Sequence, residues 1–310
     1  MTDREKSLRG TGVGDKAALA EVSILLAAFF IGTDVVSIKY ALEGFPPLVL
    51  MPIRYTLAGL LLLASLRLLG RGIGIGRRDL AALAGLGLVG VCLNQVGYTV
   101  GLSLTSGWNA SLIFASAPVW GLLLGAALGL ERPTAGGILG LAIAIGGVAL
   151  VVGGGLGSGG ASVGGDLLVC LSAFSWGAYA VLSMPVLRRL DPLVVGGWTM
   201  LLGGGAVLPL ALSGYPGLSE PLSSMDWGTV GLGSWVAAAL YSTLLCSSFA
   251  IAAWQVNVSR LGANRVLVYL YLVTLVGLMA SVVVLGEDLG MAKIAGAAAI
   301  LLGVYLARRS

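Results

Sequence analysis

Two charged residues stand where a charge is costly: Asp34 and Arg54 both lie inside long apolar stretches of the chain. Near the centre of a bilayer such a group costs about 2.5–3.5 kcal/mol even on insertion-based scales. Two readings follow from the residues. In one, Asp34 and Arg54 form a structural ion pair near the outer interface, with Lys39 about a turn further out and snorkelling to water. In the other, Asp34 accepts a proton or cation and Arg54 binds a carboxylate.

Polar and aromatic side chains that could wall a pocket accompany them: Gln95 and Tyr98, then Trp108, Asn109 and Ser116, then Trp176 and Tyr179, Tyr241 and Trp254, and Tyr269. Single aromatics in membrane proteins more often pack or join an interfacial belt, and Trp108 at a helix start fits the belt. The adjacent amides Asn94 and Gln95 say more. They point in different directions along a helix, so at least one needs a polar partner inside the bundle. Asn257 and Arg265, nearer a span end, read as loop anchors. Pro118, in mid-span, removes one backbone donor and deprives the carbonyl of Phe114 of its helical partner. It is either a hinge or a static kink. Gly121, Gly125 and Gly129, four apart, read as one small-residue stripe for close helix packing.

The elements that must position these groups are membrane-spanning helices. Hydrophobic residues make up 57% of the 310 residues, charged ones 10%, and the mean hydropathy is +0.98. That lies outside the range of soluble globular domains. Spans of about 20 apolar residues are expected at roughly 19–41, 47–66, 80–104, 108–130, 134–153, 165–187, 192–213, 229–256, 264–286 and 289–307. The fold class is an all-α integral membrane protein of ten helices. The first span follows a polar segment and ends in Asp34 and Lys39 without a small-residue cleavage site, so it reads as a resident helix, not a removable signal.

With the N-terminus inside, the cytoplasmic segments collect 15 of the 18 Lys and Arg residues, and both termini are expected in the cytoplasm. The net charge of +4 reflects this anchoring; the dispersed bases form no continuous face for nucleic acid. Cys92, Cys170 and Cys246 lie within spans without metal or CxxC spacing, as small packing residues.

Self-comparison divides the chain into halves of five helices. A shift of 156 residues pairs Tyr98 with Trp254, Gly121 with Gly277, Glu131 with Glu287, Gly140 with Gly296 and Gly147 with Gly303; a shift of 145 pairs Gly32 with Gly177 and Pro47 with Pro192. Five is odd, so the halves enter the membrane in opposite senses. Inverted repeats of this kind serve alternating access. The expected organisation is a cytoplasmic segment 1–18, a first repeat 19–153, a flexible Gly-rich outer linker 154–164, a second repeat 165–307 and a cytoplasmic end 308–310.

The run from Asn109 through Pro118 and Gly121 to Glu131-Arg132-Pro133, and its echo from Asn264 through Thr274 to Glu287, resemble the paired EamA domains of the drug/metabolite transporter superfamily. Ile38-Lys39, Pro46-Pro47 and Arg54-Tyr55 match as well. Thr274 departs from the pattern, standing where the second repeat usually has proline. The resemblance implies a plasma-membrane carrier of the bacterial inner-membrane type that exports amino acids or other small metabolites. Its central cavity would be lined mainly by helices one to four and six to nine.

Rival classes fit less well. There is no histidine and no nucleophile–base arrangement for an enzyme, and no symmetric ring of polar residues for a channel. No Walker motif is present, so a gradient must drive transport. A single interior acid beside Arg54 favours a zwitterionic or carboxylate-bearing substrate; an exporter of cationic or neutral xenobiotics is the alternative. No cofactor is called for, the partners are a small-molecule substrate and the lipid bilayer, and the chain is expected as a monomer or weak homodimer.

Overall fold

The computed structural model describes residues 3–129, 135–154, 162–215, 218–219, 234–261, 266, 269–287 and 290–309. Glu131, Arg132, Pro133, Asn264, Arg265 and most of the glycine linker therefore lie outside the described residues. Among the described residues every regular element is a helix, and there is no strand. We number the helices α1 (Asp3–Ala41), α2 (Pro47–Leu68), α3 (Arg77–Leu104), α4 (Gly107–Ala127), α5 (Ala135–Gly154), α6 (Val163–Leu187), α7 (Pro192–Ala211), α8 (Trp235–Leu261), α9 (Leu270–Leu285) and α10 (Met291–Arg309). Among the described residues seven are long and apolar enough to cross a membrane: α1 over Glu21–Ala41, α2, α3, α4, α6, α7 and α8. The apolar stretches of α5, α9 and α10 are shorter, Ile138–Val151, Leu270–Leu285 and Ile294–Gly303.

Local chemistry sets the ends. Pro47 and Pro192 occupy first turns, where the missing N–H costs nothing. Asp191 caps α7 by accepting from the Leu193 N–H at 2.9 Å, and Ser106 caps α4 by accepting from the Asn109 N–H at 3.1 Å. Gly70, Gly129, Gly214 and Gly286, just past the ends of α2, α4, α7 and α9, have positive φ between 65° and 73°. This corrects the reading of Gly129 as the last member of a packing stripe: it ends α4 and has nothing within contact of where a Cβ would stand.

Three spans are not simple α-helices. Helix α4 breaks at Ala115–Ser116 and resumes with Pro118 in its second first turn, so the mid-span proline produces an interruption. Helices α3 and α8 each contain a π-helical segment, Leu88–Leu93 and Ser242–Phe249. The same shift of 156 residues that relates the halves carries Leu88–Leu93 onto positions 244–249, so the two segments are repeat-equivalent.

Packing is reciprocal between the halves. Helix α1 packs on α8 and α9, α6 packs on α3 and α4, α2 on α7, and α5 on α10. Glycines let the backbones meet: a Cβ on Gly32 of α1 would stand 2.7 Å from the Val273 carbonyl of α9, and one on Gly177 of α6 would stand 2.5 Å from the Ala117 carbonyl of α4. Gly147 meets Gly296 across α5 and α10, and Gly303 meets Gly140 there. These are the glycines paired by the internal repeat. Lipid tails are as apolar as leucine, so such close approach and buried polar pairs, not apolar burial, hold the helices together. Leucines such as Leu25, Leu26, Leu60 and Leu61 accordingly stay exposed while Arg54, Asn94, Asn109, Asp166, Gln255 and Asn257 are buried.

Candidate functional site

The helix positions on α1, α2 and α8 converge on one charge pair. Arg54 Nη2 donates to Asp34 Oδ2 at 2.8 Å and also to Ser247 Oγ at 3.1 Å. The other carboxylate oxygen of Asp34 accepts from the Ser242 hydroxyl. Arg54 is 1% exposed, and the Tyr55 ring lies 5.3 Å from its guanidinium carbon. Its Nε and Nη1 have no hydrogen-bond partner among the described residues. A buried guanidinium with three idle N–H bonds, one on Nε and two on Nη1, holds unused capacity for an anion.

Asp34 faces a small cavity between the halves, whose polar wall also includes Tyr55, Gln95, Ser111 and Thr274. Ile251, Leu270, Val273 and Phe114 supply the apolar wall. Its volume is about 50 Å³, room for a few water molecules. Trp176 closes one side and is the hub of an aromatic cluster, with ring centroids 5.7 Å from both Tyr179 and Trp254 and 6.3 Å from Phe114. Tyr98 meets Phe114 edge-on at 5.4 Å. Behind this layer Gln255 Nε2 donates to the Tyr179 hydroxyl at 2.6 Å, which lies 3.2 Å from Thr199 Oγ1. Asn94 donates to the carbonyl and hydroxyl of Ser172, and Gln95 donates to Asn94 Oδ1 at 2.6 Å. The amide pair thus finds its partners, and Gln95 extends from it to the cavity.

The two ends of the bundle are tied differently. At the end where α1 finishes and α4 begins, Asp166 of α6 accepts from Thr105 Oγ1 at 2.5 Å and from Asn109 Nδ2 at 3.2 Å. Lys39 donates to the Thr105 carbonyl at 2.6 Å, and Glu287 receives the N–H groups of Gly107 and Trp108 at 2.7 Å each. The carboxylate of Glu287 thereby satisfies orphan donors at the positive end of α4. At the opposite end Arg71 pairs with Asp191, and Arg189 with Asp79 at 2.9 Å.

An EamA-like transporter family model matches residues 18–153 and 163–309, nearly the whole chain. The chain belongs to this family. It is 27% identical to an amino-acid metabolite efflux pump of Salmonella typhimurium strain LT2, named as probable, with 91% of this chain and 92% of that protein covered. It is 31% identical to a probable terminal-alkyne amino-acid exporter of Streptantibioticus cattleyicolor, with 88% of each covered. An uncharacterized transporter of Archaeoglobus fulgidus is 27% identical over 93% of this chain and 98% of its own length. A solved crystal structure shares the fold at a TM-score of 0.66 and 20% identity, covering 94% of this chain and 96% of that one. The molecule is an EamA-type multi-pass membrane transporter.

Of the residues singled out in the sequence, this EamA transporter brings Asp34, Gln95, Tyr98 and Trp176 to the cavity wall. Arg54 stands directly behind Asp34. Tyr179 and Trp254 form the second layer, and Tyr269 packs half-buried against the same core. Trp108 and Asn109 lie elsewhere, buried at the Asp166 end, so the belt position expected for Trp108 gives way to a buried one. Tyr241 faces a groove between α1, α8 and α9, with its hydroxyl 2.8 Å from Thr33 Oγ1. Lys39 does not snorkel alone but bridges to Thr105. Asn257 anchors α8 to α1 by donating to Ser23 Oγ at 3.0 Å.

Sequence reasoning missed Asp166, Ser242, Ser247 and Gln255, and named Tyr55 only within the Arg54-Tyr55 match. Asp166 carried a weaker signal than Asp34, since it stands at the first turn of its span and not within it.

Proposed function

We propose that this EamA transporter exports small amino acids or related metabolites, driven by a gradient and cycling between two arrangements of its halves. The observation that carries this reading is Asp34 on the cavity wall with Arg54 directly behind it. An ammonium group entering the cavity meets the carboxylate. A carboxylate reaches the idle guanidinium N–H groups once Asp34 is neutralised by that ammonium or by a proton. Gln95, Tyr98 and Trp176 then contact the substrate directly, and the names of the Salmonella and Streptantibioticus relatives point the same way. A cavity with room for only a few waters must widen to admit such a molecule. The break before Pro118 and the exchanged helix pairs supply places for that movement.

The architecture that supports it is ten spans in two inverted halves with both termini cytoplasmic, and a monomer or weak homodimer in a plasma membrane of the bacterial inner-membrane type. Reciprocal glycine contacts and the distribution of Lys and Arg favour this arrangement. An odd number of spans, or a C-terminal reporter facing outward, would contradict it.

One observation favours a multidrug exporter as second reading: the aromatic wall of Tyr98, Phe114 and Trp176 faces a single acid, a pattern that also holds organic cations. Proteoliposomes containing only this protein separate the two. Counterflow of labelled neutral amino acids is the expected result. Movement of lipophilic cations with none of any amino acid would hand the assignment to the second reading.

A further inference from the structure

The charge pair is held from α8 by two serines, and the spacing of those serines is unusual for a helix. Ser242 donates to one oxygen of Asp34, and Ser247 accepts from the Arg54 Nη2 that also reaches the other oxygen. The serines are five residues apart. In an α-helix of 3.6 residues per turn, positions five apart diverge by about 140°, so one of the two would face away from the pair. In a π-helix the backbone hydrogen bond joins residues five apart, which sets position i+5 above position i. The segment Ser242–Phe249 is π-helical, and both serines are buried against the pair.

We infer that the π-helical register of α8 completes the substrate site, with Ser242 and Ser247 as the positioning residues that fix Asp34 and Arg54 in their working orientation. This rests on the proposal that Asp34 and Arg54 meet the substrate. Ser242 fixes one carboxylate oxygen, so the other lies toward Arg54. Ser247 occupies the second proton of Nη2, which turns the guanidinium so that Nε and Nη1 remain unused for the arriving anion. The repeat-related positions in α3 are Leu86, just before its π-helical segment, and Val91 within it, so the corresponding stretch is equipped for polar work in one half only.

Three sets of variants in proteoliposomes test this, with initial rates of amino-acid counterflow measured over a range of substrate concentrations. Ser247→Ala and Ser242→Ala are expected to raise KM about tenfold with maximal rate held within about twofold, and Ser247→Thr and Ser242→Thr, which keep the hydroxyl, to restore KM. Deleting Leu244, an exposed residue inside the π-helical segment, returns the helix to α register with the serines four apart and about 40° from each other on one face, so KM is expected to stay within about threefold of the parent; a folded deletion protein with KM raised about tenfold would contradict the shared-face geometry. A deletion protein that does not fold leaves the serine pairs to decide. If Asp34→Asn and Arg54→Gln raise KM but both alanine variants keep the parent's value, the inference about α8 is overturned while the site assignment stands. If Asp34→Asn and Arg54→Gln also leave KM unchanged, the site assignment itself fails, and this inference with it.

Discussion

Arg54 reaches Asp34 through Nη2 alone, at 2.8 Å, without the two-pronged contact that a guanidinium can make to a carboxylate. The pair is therefore balanced in charge but not saturated in hydrogen bonds. Breaking a buried pair by removing one partner costs about 3–5 kcal/mol, whereas neutralising both is often tolerated. Arg54→Gln is expected to lower thermal stability in detergent sharply, and Asp34→Asn combined with Arg54→Gln to regain most of it. Transport should stay impaired in the double variant, with KM still raised. Recovery of transport together with stability would reduce the pair to a strut.

Adjacent glycines in α5 give a clean packing contrast. A Cβ on Gly147 would stand 2.7 Å from the Ile300 nitrogen and 2.8 Å from the Gly296 carbonyl of α10, while one on Gly146 meets nothing within 4 Å. Forcing backbone apart costs about 1–3 kcal/mol, as overpacking generally does. Gly147→Ala should lower the melting temperature and Gly146→Ala should leave it unchanged or raise it slightly. Equal effects in a detergent thermal melt would contradict the close α5–α10 contact.

Asp166 accepts from a hydroxyl and an amide that are both buried. Asp166→Ala leaves them short of an acceptor, at a cost of about 1–3 kcal/mol. Asp166→Asn keeps one acceptor oxygen and should lose less. The ranking parent, Asn, Ala in chemical or thermal unfolding is the expected outcome, and the reverse order of the two variants would refute the assigned hydrogen bonds.

Arg71 and Asp191 form an exposed pair, and exposed pairs contribute about 0–1 kcal/mol. Asp191 also caps α7, a role that is lost on replacement by alanine at about 1 kcal/mol. Asp191→Ala is thus expected to destabilise more than Arg71→Gln, and Asp191→Ser, which can still cap, to recover the difference. The three melts decide it.

Much of this arrangement can be read from residue types. A charge inside an apolar span must find a partner, which is why Asp34 and Arg54 stand out, and why the Asn94–Gln95 pair was expected to meet polar groups. Repeated glycines mark backbone contacts because only they admit them, and Gly32, Gly177, Gly147 and Gly303 all lie at such contacts. Pro118 announces a break because its ring cannot donate. What resists reading is register. A π-helical segment has no residue signature comparable to proline, so nothing in the sequence marks Ser242 and Ser247 as sharing a face. Aromatics are equally silent about direction: Trp176 and Tyr241 have similar settings in the sequence, yet one faces the cavity and the other an outward groove.

The exchange of α1 onto α8 and α9 also bears on how the chain is made. Asp34 is followed only 20 residues later by Arg54, but its other partner, Ser242, comes 208 residues after it. At synthesis rates of about 5–20 residues per second, that interval is about 10–40 s. During it the nascent first half sits in the bilayer with the carboxylate matched by its arginine and by nothing from α8. The nearness of Arg54 in the chain makes α1 and α2 a self-neutralising hairpin that can wait in lipid until the second half arrives.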